Sequence, residues 1–287
     1  MSDAPRAHRL LGARCVEVGS VEGVAQGACA IALSRGGAAK VYDHTEPNED
    51  AAAFAEGAGG VLLAVADGHD GAHGAEAAIA AVVDAIAPAA CAATPPVAGG
   101  ADAGRAWNDW LYAALQTASA RAIADAAARR LPPAPTTLAI ALVRPGDDLV
   151  AWAGVGDSHV LACAAERVEE RGWAALGAHA SPHFLGLPEE TWHRANTALG
   201  CAPLGGLRAL ALATDGLSEV GIGVDHPEEA VAEALAVARG VAVPPACRAQ
   251  RFARALAEAA LAAHRRRRSG DNVAVAAWVA PDAARSE

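Results

Sequence analysis

Val61-Leu62-Leu63-Ala64-Val65-Ala66 runs apolar and stops abruptly at Asp67-Gly68-His69. A run this short, rich in branched side chains and bounded by glycine, predicts a buried strand. The same construction returns twice. Leu207 to Thr214 ends at Asp215-Gly216, and Asp271-Asn272 introduces Val273 to Val279. A fourth acidic element, Asn48-Glu49-Asp50, precedes the first strand. One Asp-Gly is ordinarily a turn. Several aspartates at the mouths of buried strands have a different consequence if those ends converge. Their carboxylates would repel one another and titrate upward unless a cation neutralises them. Carboxylates without cysteine or clustered histidine select hard cations, Mg²⁺ or Mn²⁺. Glycine after the aspartate lets a backbone carbonyl come close to such an ion. The residues therefore predict a site for two divalent cations that activate a water and stabilise charge on a phosphoryl oxygen.

Outward from these strands, Gly27 to Leu33 predicts another strand and residues 34–50 a turn-rich stretch. Residues 71–87 favour a helix, closed by Pro88 and the Thr94-Pro95-Pro96 cluster. A second helix runs from about Asp102, its N-cap, to Arg130, with Trp107, Trp110, Leu111 and Leu115 as a core stripe. Thr136–Val143, Leu149–Val155 and His159–Ala164 predict an antiparallel meander that turns at Pro145 to Asp148 and at Gly156-Asp157. Residues 166–206 read as an irregular surface loop or lid. Two helices follow, over 227–239 and about 246–265. Residues 1–20 read as a loosely held lead-in, 21–280 as one domain and 281–287 as a polar tail. Strands and helices come in blocks, which favours an α+β fold.

Of 287 residues, 80 are alanine, about 28%, and 53% are hydrophobic, so the chain can bury enough surface to fold. So much alanine implies thin side chains and helices packed close to their neighbours. Acids number 33 against 23 basic residues, for a net charge of −10, and Lys40 is the sole lysine. Such a chain is a poor nucleic-acid binder. Residues 1–14 lack the apolar segment of a secretory signal, and the alanine-rich 75–93 stretch is broken by Glu76, Asp84 and Pro88, so no membrane span is expected. The six cysteines form no Cys-x-x-Cys pair and read as buried thiols of a cytoplasmic protein. The run Arg265 to Arg268 ends a helix, where cations interact well with the dipole. Histidines 179, 183 and 193 read as surface groups.

Six segments carry a resemblance: Asn48-Glu49-Asp50-Ala51, Val65-Ala66-Asp67-Gly68-His69, Thr136-Thr137, Val155-Gly156-Asp157-Ser158, Ala213-Thr214-Asp215-Gly216-Leu217-Ser218 and Gly270-Asp271-Asn272-Val273. In their order and spacing the chain resembles the metal-dependent protein phosphatases of the PP2C (PPM) family. The resemblance implies an α-β-β-α sandwich of two antiparallel sheets flanked by helices, with two Mn²⁺ or Mg²⁺ ions at one end. Asp67 would bridge both ions, the Gly68 carbonyl would bind one, and Asp215 and Asp271 the other. Glu49 and Asp50 would reach the ions directly or through water, and Asp157 would support the turn behind them. An activated water would attack phosphoserine or phosphothreonine, and His69 would protonate the leaving oxygen.

The sequence departs from the family pattern at four places. Thr45 stands where an arginine usually clamps the phosphate, leaving His44 and Lys40 as nearby candidates for that task. Pro135 replaces a glycine before the paired threonines, and His159 replaces an arginine after Gly-Asp-Ser. Residues 130–135 contain no acid for a third metal. The implied function is a phosphoprotein phosphatase opposing a serine/threonine kinase. The alternative is a phosphatase-like binding or regulatory module with little turnover, and a weaker third reading is hydrolysis of a different phosphoester.

Overall fold

Strands that are apolar on both faces need cover on both, and that requirement builds this molecule. The computed structural model describes residues 4–99, 102–164, 168–171, 183–187, 192–240 and 243–281. One sheet contains, in spatial order, β1 (Arg6–Leu11), β4 (Ala51–Gly57), β5 (Gly60–Ala66), β6 (Leu138–Arg144), β7 (Leu149–Val155) and β10 (Ala198–Pro203). The other contains β2 (Glu22–Gln26), β3 (Cys29–Ser34), β12 (Val273–Val279), β11 (Leu207–Ala213), β8 (His159–Ala164) and β9 (Val168–Glu170). The pairings within both sheets are antiparallel.

Period-2 alternation sorts the side chains into layers. On β5, Leu62, Ala64 and Ala66 pack with α1 (His73–Ala81) and α3 (Ala103–Arg129). Val61, Leu63 and Val65 join the layer between the sheets. On β12, Val273, Val275 and Ala277 pack with α4 (Pro227–Arg239) and α5 (Pro245–Arg267), while Ala274, Ala276 and Trp278 face inward. Each fully buried leucine or valine here stabilises the fold by roughly 1.5–3 kcal/mol. Ala234, Ala238, Ala253 and Ala257 keep the α4–α5 layer thin, as the alanine content implied. The result is the expected α-β-β-α sandwich.

Register brings the aspartates to one end. Ala51 pairs with Ala66, so Asp50 and Asp67 leave the first sheet as neighbours. Ala213 pairs with both Val275 and His159, so Asp215, Asp271 and the Asp157 turn gather at the matching end of the second sheet.

Several expectations are corrected. The lead-in is not loose: Arg6–Leu11 is the edge strand β1, with Leu11 paired to Ala51. Its polar, half-exposed sequence hides it, because an edge strand needs little apolar content. Only part of the meander holds. β6 and β7 pair, but β8 crosses to the other sheet and pairs with β11 and β9. Within 166–206, β9 and β10 are ordered sheet edges rather than irregular loop. Pro88 does not close the first helical stretch. A π turn at Val82–Ile86 absorbs the register, and α2 (Ala87–Ala90) carries Pro88 near its start, where the missing N–H is harmless. The tail at 282–287 and His179 lie outside the described residues. Among the described residues no helix is long and apolar enough to cross a membrane.

Candidate active site

Asp67, Asp157 and Asp215 each offer a carboxylate oxygen, and these atoms lie within 4.8 Å of one another. The paired threonines brace two of the three. The Asp67 N–H donates to Thr137 Oγ1 at 3.0 Å, and the Asp67 carbonyl accepts the Thr136 hydroxyl at 2.8 Å and the Thr137 N–H at 2.9 Å. Thr137 Oγ1 also lies 3.0 Å from Ser158 Oγ, which ties the Asp157 turn to the same point. Gly156 has φ +95°, and a Cβ there would sit 2.5 Å from Thr137 Cγ2, so only glycine lets this turn lie so close. Gly216 is equally constrained, since a Cβ would fall 1.7 Å from the Asn272 carbonyl oxygen. That contact presses the Asp215 turn onto the Asp271 strand.

Around this trio the other predicted acids are held by specific donors. Thr214 Oγ1 donates to Asp50 Oδ2 at 2.7 Å and accepts the Ala274 N–H at 2.9 Å. The Glu49 N–H donates to Asn272 Oδ1 at 2.9 Å, and Glu49 Oε1 accepts the N–H groups of Thr45 and Glu46 at 3.2 and 3.1 Å. Asp271 accepts the Asn272 N–H at 2.7 Å and the Tyr42 hydroxyl. Lys40 Nζ lies 3.5 Å from Asp271 and 3.9 Å from Glu49, with its side chain only 4% exposed. Lys40 thus sits inside the acidic site, 5.1 Å above the Tyr42 ring. Gly68 and His69 join the acids around a cleft of about 440 Å³.

Electrostatics mark the cluster as incomplete. Burial, then the Asp271 charge, raises the Asp50 carboxyl to about 7 against the opposing help of Thr214 and Lys40. Burial, then neighbouring carboxylates, pushes Asp67 and Asp215 well above the usual carboxylate range. Asp157 Oδ1 is buried and has no hydrogen-bond partner among the described residues. An orphaned carboxylate oxygen facing two others is costly unless a cation sits there. The donors are all oxygens, which fits Mg²⁺ or Mn²⁺.

Two placements differ from expectation. Asp157 puts its carboxylate in the cluster instead of standing behind it. His44 is exposed, with Nδ1 3.0 Å from the Tyr42 carbonyl, and does not line the cleft. Six lining residues escaped the sequence reading: Tyr42, Asp43, Asp70, Phe184, Glu219 and Ile222. Glu219 was findable, because it follows Asp215 by one turn and its N–H bonds back to the Asp215 carbonyl at 2.6 Å. Burial, then Asp271, raises its carboxyl too. Phe184 gave no local signal. His183, read as a surface group, lies 2.6 Å from Asn196 Nδ2 through its Nε2.

Comparisons with known proteins agree with this geometry. The protein phosphatase 2C family profile matches residues 37–259. Among solved structures, the chain is similar to a serine-threonine phosphatase 2C from Toxoplasma gondii, at 15% identity and TM-score 0.63, over 96% of this chain and 100% of that one. It is also similar to the serine/threonine phosphatase PstP/Ppp of Mycobacterium tuberculosis, at 20% identity and TM-score 0.56, over 91% and 99%. Stp1 of Staphylococcus aureus, a serine/threonine phosphatase, follows at 16% and 0.58, over 92% and 97%. No curated protein sequence matches. The structural likenesses show a shared fold, and the family profile spans most of the chain, including five of the carboxylates gathered at the strand ends (Glu49, Asp50, Asp67, Asp157 and Asp215). This chain belongs to the protein phosphatase 2C family.

Proposed function

We propose that the protein is a Mn²⁺- or Mg²⁺-dependent phosphoprotein phosphatase that hydrolyses phosphoserine and phosphothreonine, opposing a serine/threonine kinase. The trio of Asp67, Asp157 and Asp215, with the buried, orphaned Asp157 Oδ1, carries this reading. These three, with Asp50, Asp271 and the Gly68 carbonyl, are the groups that would hold the ions, and Glu49 would support them. Bound divalent ions would supply an activated water and neutralise charge on the phosphoryl oxygens.

The chain's own residues do the rest. The braced strand ends hold the carboxylates in place without reorganisation. Lys40 already stands at the cleft wall between Glu49 and Asp271. With cations held by those acids, its ammonium would be free to meet the substrate phosphate as a point charge, in place of the arginine absent at Thr45. His69 lines the same cleft and supplies the proton to the serine or threonine oxygen as the phosphorus–oxygen bond breaks. The water oxygen forms the new bond to phosphorus, and the products are the free hydroxyl side chain and inorganic phosphate.

The test is hydrolysis of a phosphoserine peptide by purified protein with Mn²⁺ or Mg²⁺, beside Asp215→Ala and a chelator control. Turnover that both controls abolish is expected. Cation binding by the wild type without turnover would replace this reading with that of a binding module.

A further inference from the structure

Phe184 enters the cleft from a segment distant in sequence from the carboxylates that line it. Its ring packs against the imidazole of His69 with centroids 4.4 Å apart and planes tilted by 53°. His69 Nδ1 is buried and has no hydrogen-bond partner among the described residues. An imidazole without a partner at Nδ1 is oriented by packing instead of by a hydrogen bond, unlike the usual histidine held by an acceptor.

The segment carrying Phe184 is anchored firmly enough to do this. Leu185 is fully buried and exchanges two hydrogen bonds with Thr136, at 3.1 Å and 2.8 Å. The Gly186 N–H donates to Ser119 Oγ at 3.2 Å, and Gly186 has φ +81°, close against the Ala134 carbonyl. On the other side, the His69 N–H donates to the Pro135 carbonyl at 2.8 Å. Residues 134–136 therefore clamp both the His69 backbone and the Phe184 segment. Pro135, where the family usually has glycine, lines the cleft between them.

We infer that Phe184 is the positioning residue for His69, fixing the imidazole in the orientation that delivers a proton to the leaving oxygen. The inference rests on the phosphatase reading and deepens it. In the step concerned, the phosphorus–oxygen bond breaks, its electron pair goes to the serine or threonine oxygen, and His69 gives that oxygen its proton. Solvent returns the proton to His69 after product release. A nitrophenolate leaves as a stable anion and does not need this proton, so the two substrate types separate a mispositioned acid from a damaged site.

The experiment compares wild type, Phe184→Ala, Phe184→Tyr, His69→Gln and the Phe184→Ala/His69→Gln double variant on a phosphoserine peptide and on 4-nitrophenyl phosphate, with Mn²⁺. A positioned acid contributes about 10²–10⁴ in rate, so Phe184→Ala should lower kcat on the peptide by about tenfold or more. On the nitrophenyl ester the change should stay within about twofold, since no general acid is called for. Phe184→Tyr keeps the ring and should restore peptide turnover. The double variant should be no slower than His69→Gln alone, because both act through one group. As a readout apart from turnover, the His69 ring-proton resonance, assigned by its loss in His69→Gln, should lose its ring-current shift in Phe184→Ala. Equal losses on both substrates, additive losses in the double variant, or an unmoved resonance would overturn the inference while leaving the phosphatase reading intact. A wild type inactive on both substrates would remove that reading, and this inference with it.

Discussion

Strand β6 connects two buried charged places that solve opposite problems. At its far end Arg144 is 1% exposed and nearly fully satisfied. Its Nη1 donates to the carbonyls of Ala90 and Ala92 at 2.7 and 2.9 Å, its Nη2 to Ala93 at 3.3 Å, and its Nε to Asp147 at 2.5 Å. At the near end Thr137 braces Asp67 beside Asp157 and Asp215, three acids of one sign with an orphaned oxygen among them. A buried charge whose hydrogen bonds are made closes a structure. A half-buried cluster of like charge with unmade bonds is a structure waiting for a ligand.

The largest effect should come from breaking the acidic end. On the proposed reading, Asp215→Asn should cut turnover by about 10³-fold or more, since Asp215 would be one of the cation's ligands. The same variant should raise the melting temperature in chelator, because one repelling carboxylate is gone. Steady-state kinetics and thermal melts check the pair of outcomes. A variant that lost stability in chelator would remove the contrast with Arg144.

Breaking the satisfied end should cost stability and spare the site. Asp147 is partly exposed, so solvent screens that ion pair, and the three stranded carbonyls carry most of the loss. Arg144→Ala should therefore destabilise by about 2–4 kcal/mol in urea denaturation, with cation affinity unchanged. Altered cation affinity in this variant would show the two ends to be coupled along β6.

The acidic end also predicts a pH dependence. Asp50 rises from 3.8 to about 7 in the fold, and Asp67 and Asp215 rise as well. The native state therefore holds protons that the unfolded chain has released, and stability falls as pH rises. In chelator that loss should begin near the ordinary carboxylate range, about pH 4, and continue through and above about pH 7. Saturating Mg²⁺ should flatten the curve. Melting temperatures across pH, with and without the ion, would sharpen the contrast, and a flat curve in chelator would break it.

The smallest effect concerns Lys40, the one cation among the described residues that is placed among the acids. Lys40→Ala should raise KM for a phosphopeptide by about tenfold, equivalent to about 1.4 kcal/mol, and leave kcat close to wild type. Lys40→Arg should recover most of the loss. A change confined to kcat would show that Lys40 organises the acids and does not meet the phosphate.

Much of this was legible from local pattern. Val61 to Ala66 announced β5 and its terminal Asp67, and the same signature marked β11 and β12 with Asp215 and Asp271. Helix α3 was clear because its stripe of Trp107, Trp110, Leu111 and Leu115 and its terminators lie within one segment, and the spans of α4 and α5 were legible as well. β1 was not clear, because an edge strand with Arg6, His8 and Arg9 looks like surface. β8 was visible as a strand but not as a member of the second sheet, since partner choice depends on residues far along the chain.

The amino-acid sequence by itself marked the central strands and the long helices, though not the edge strands β1, β9 and β10, and it placed an acid at the ends of β5, β11 and β12. Those properties follow from side-chain periodicity, β-branching and turn chemistry, all local to a few residues. Only the tertiary structure decided that Asp157 joins Asp67 and Asp215, that Lys40 reaches Asp271, that His44 does not line the cleft, and that Phe184 packs on His69. The contacts among these join segments brought together by antiparallel register and by glycines such as Gly156 and Gly216 that permit close approach. Such contacts depend on which surfaces bury one another, and no stretch of sequence contains that information alone.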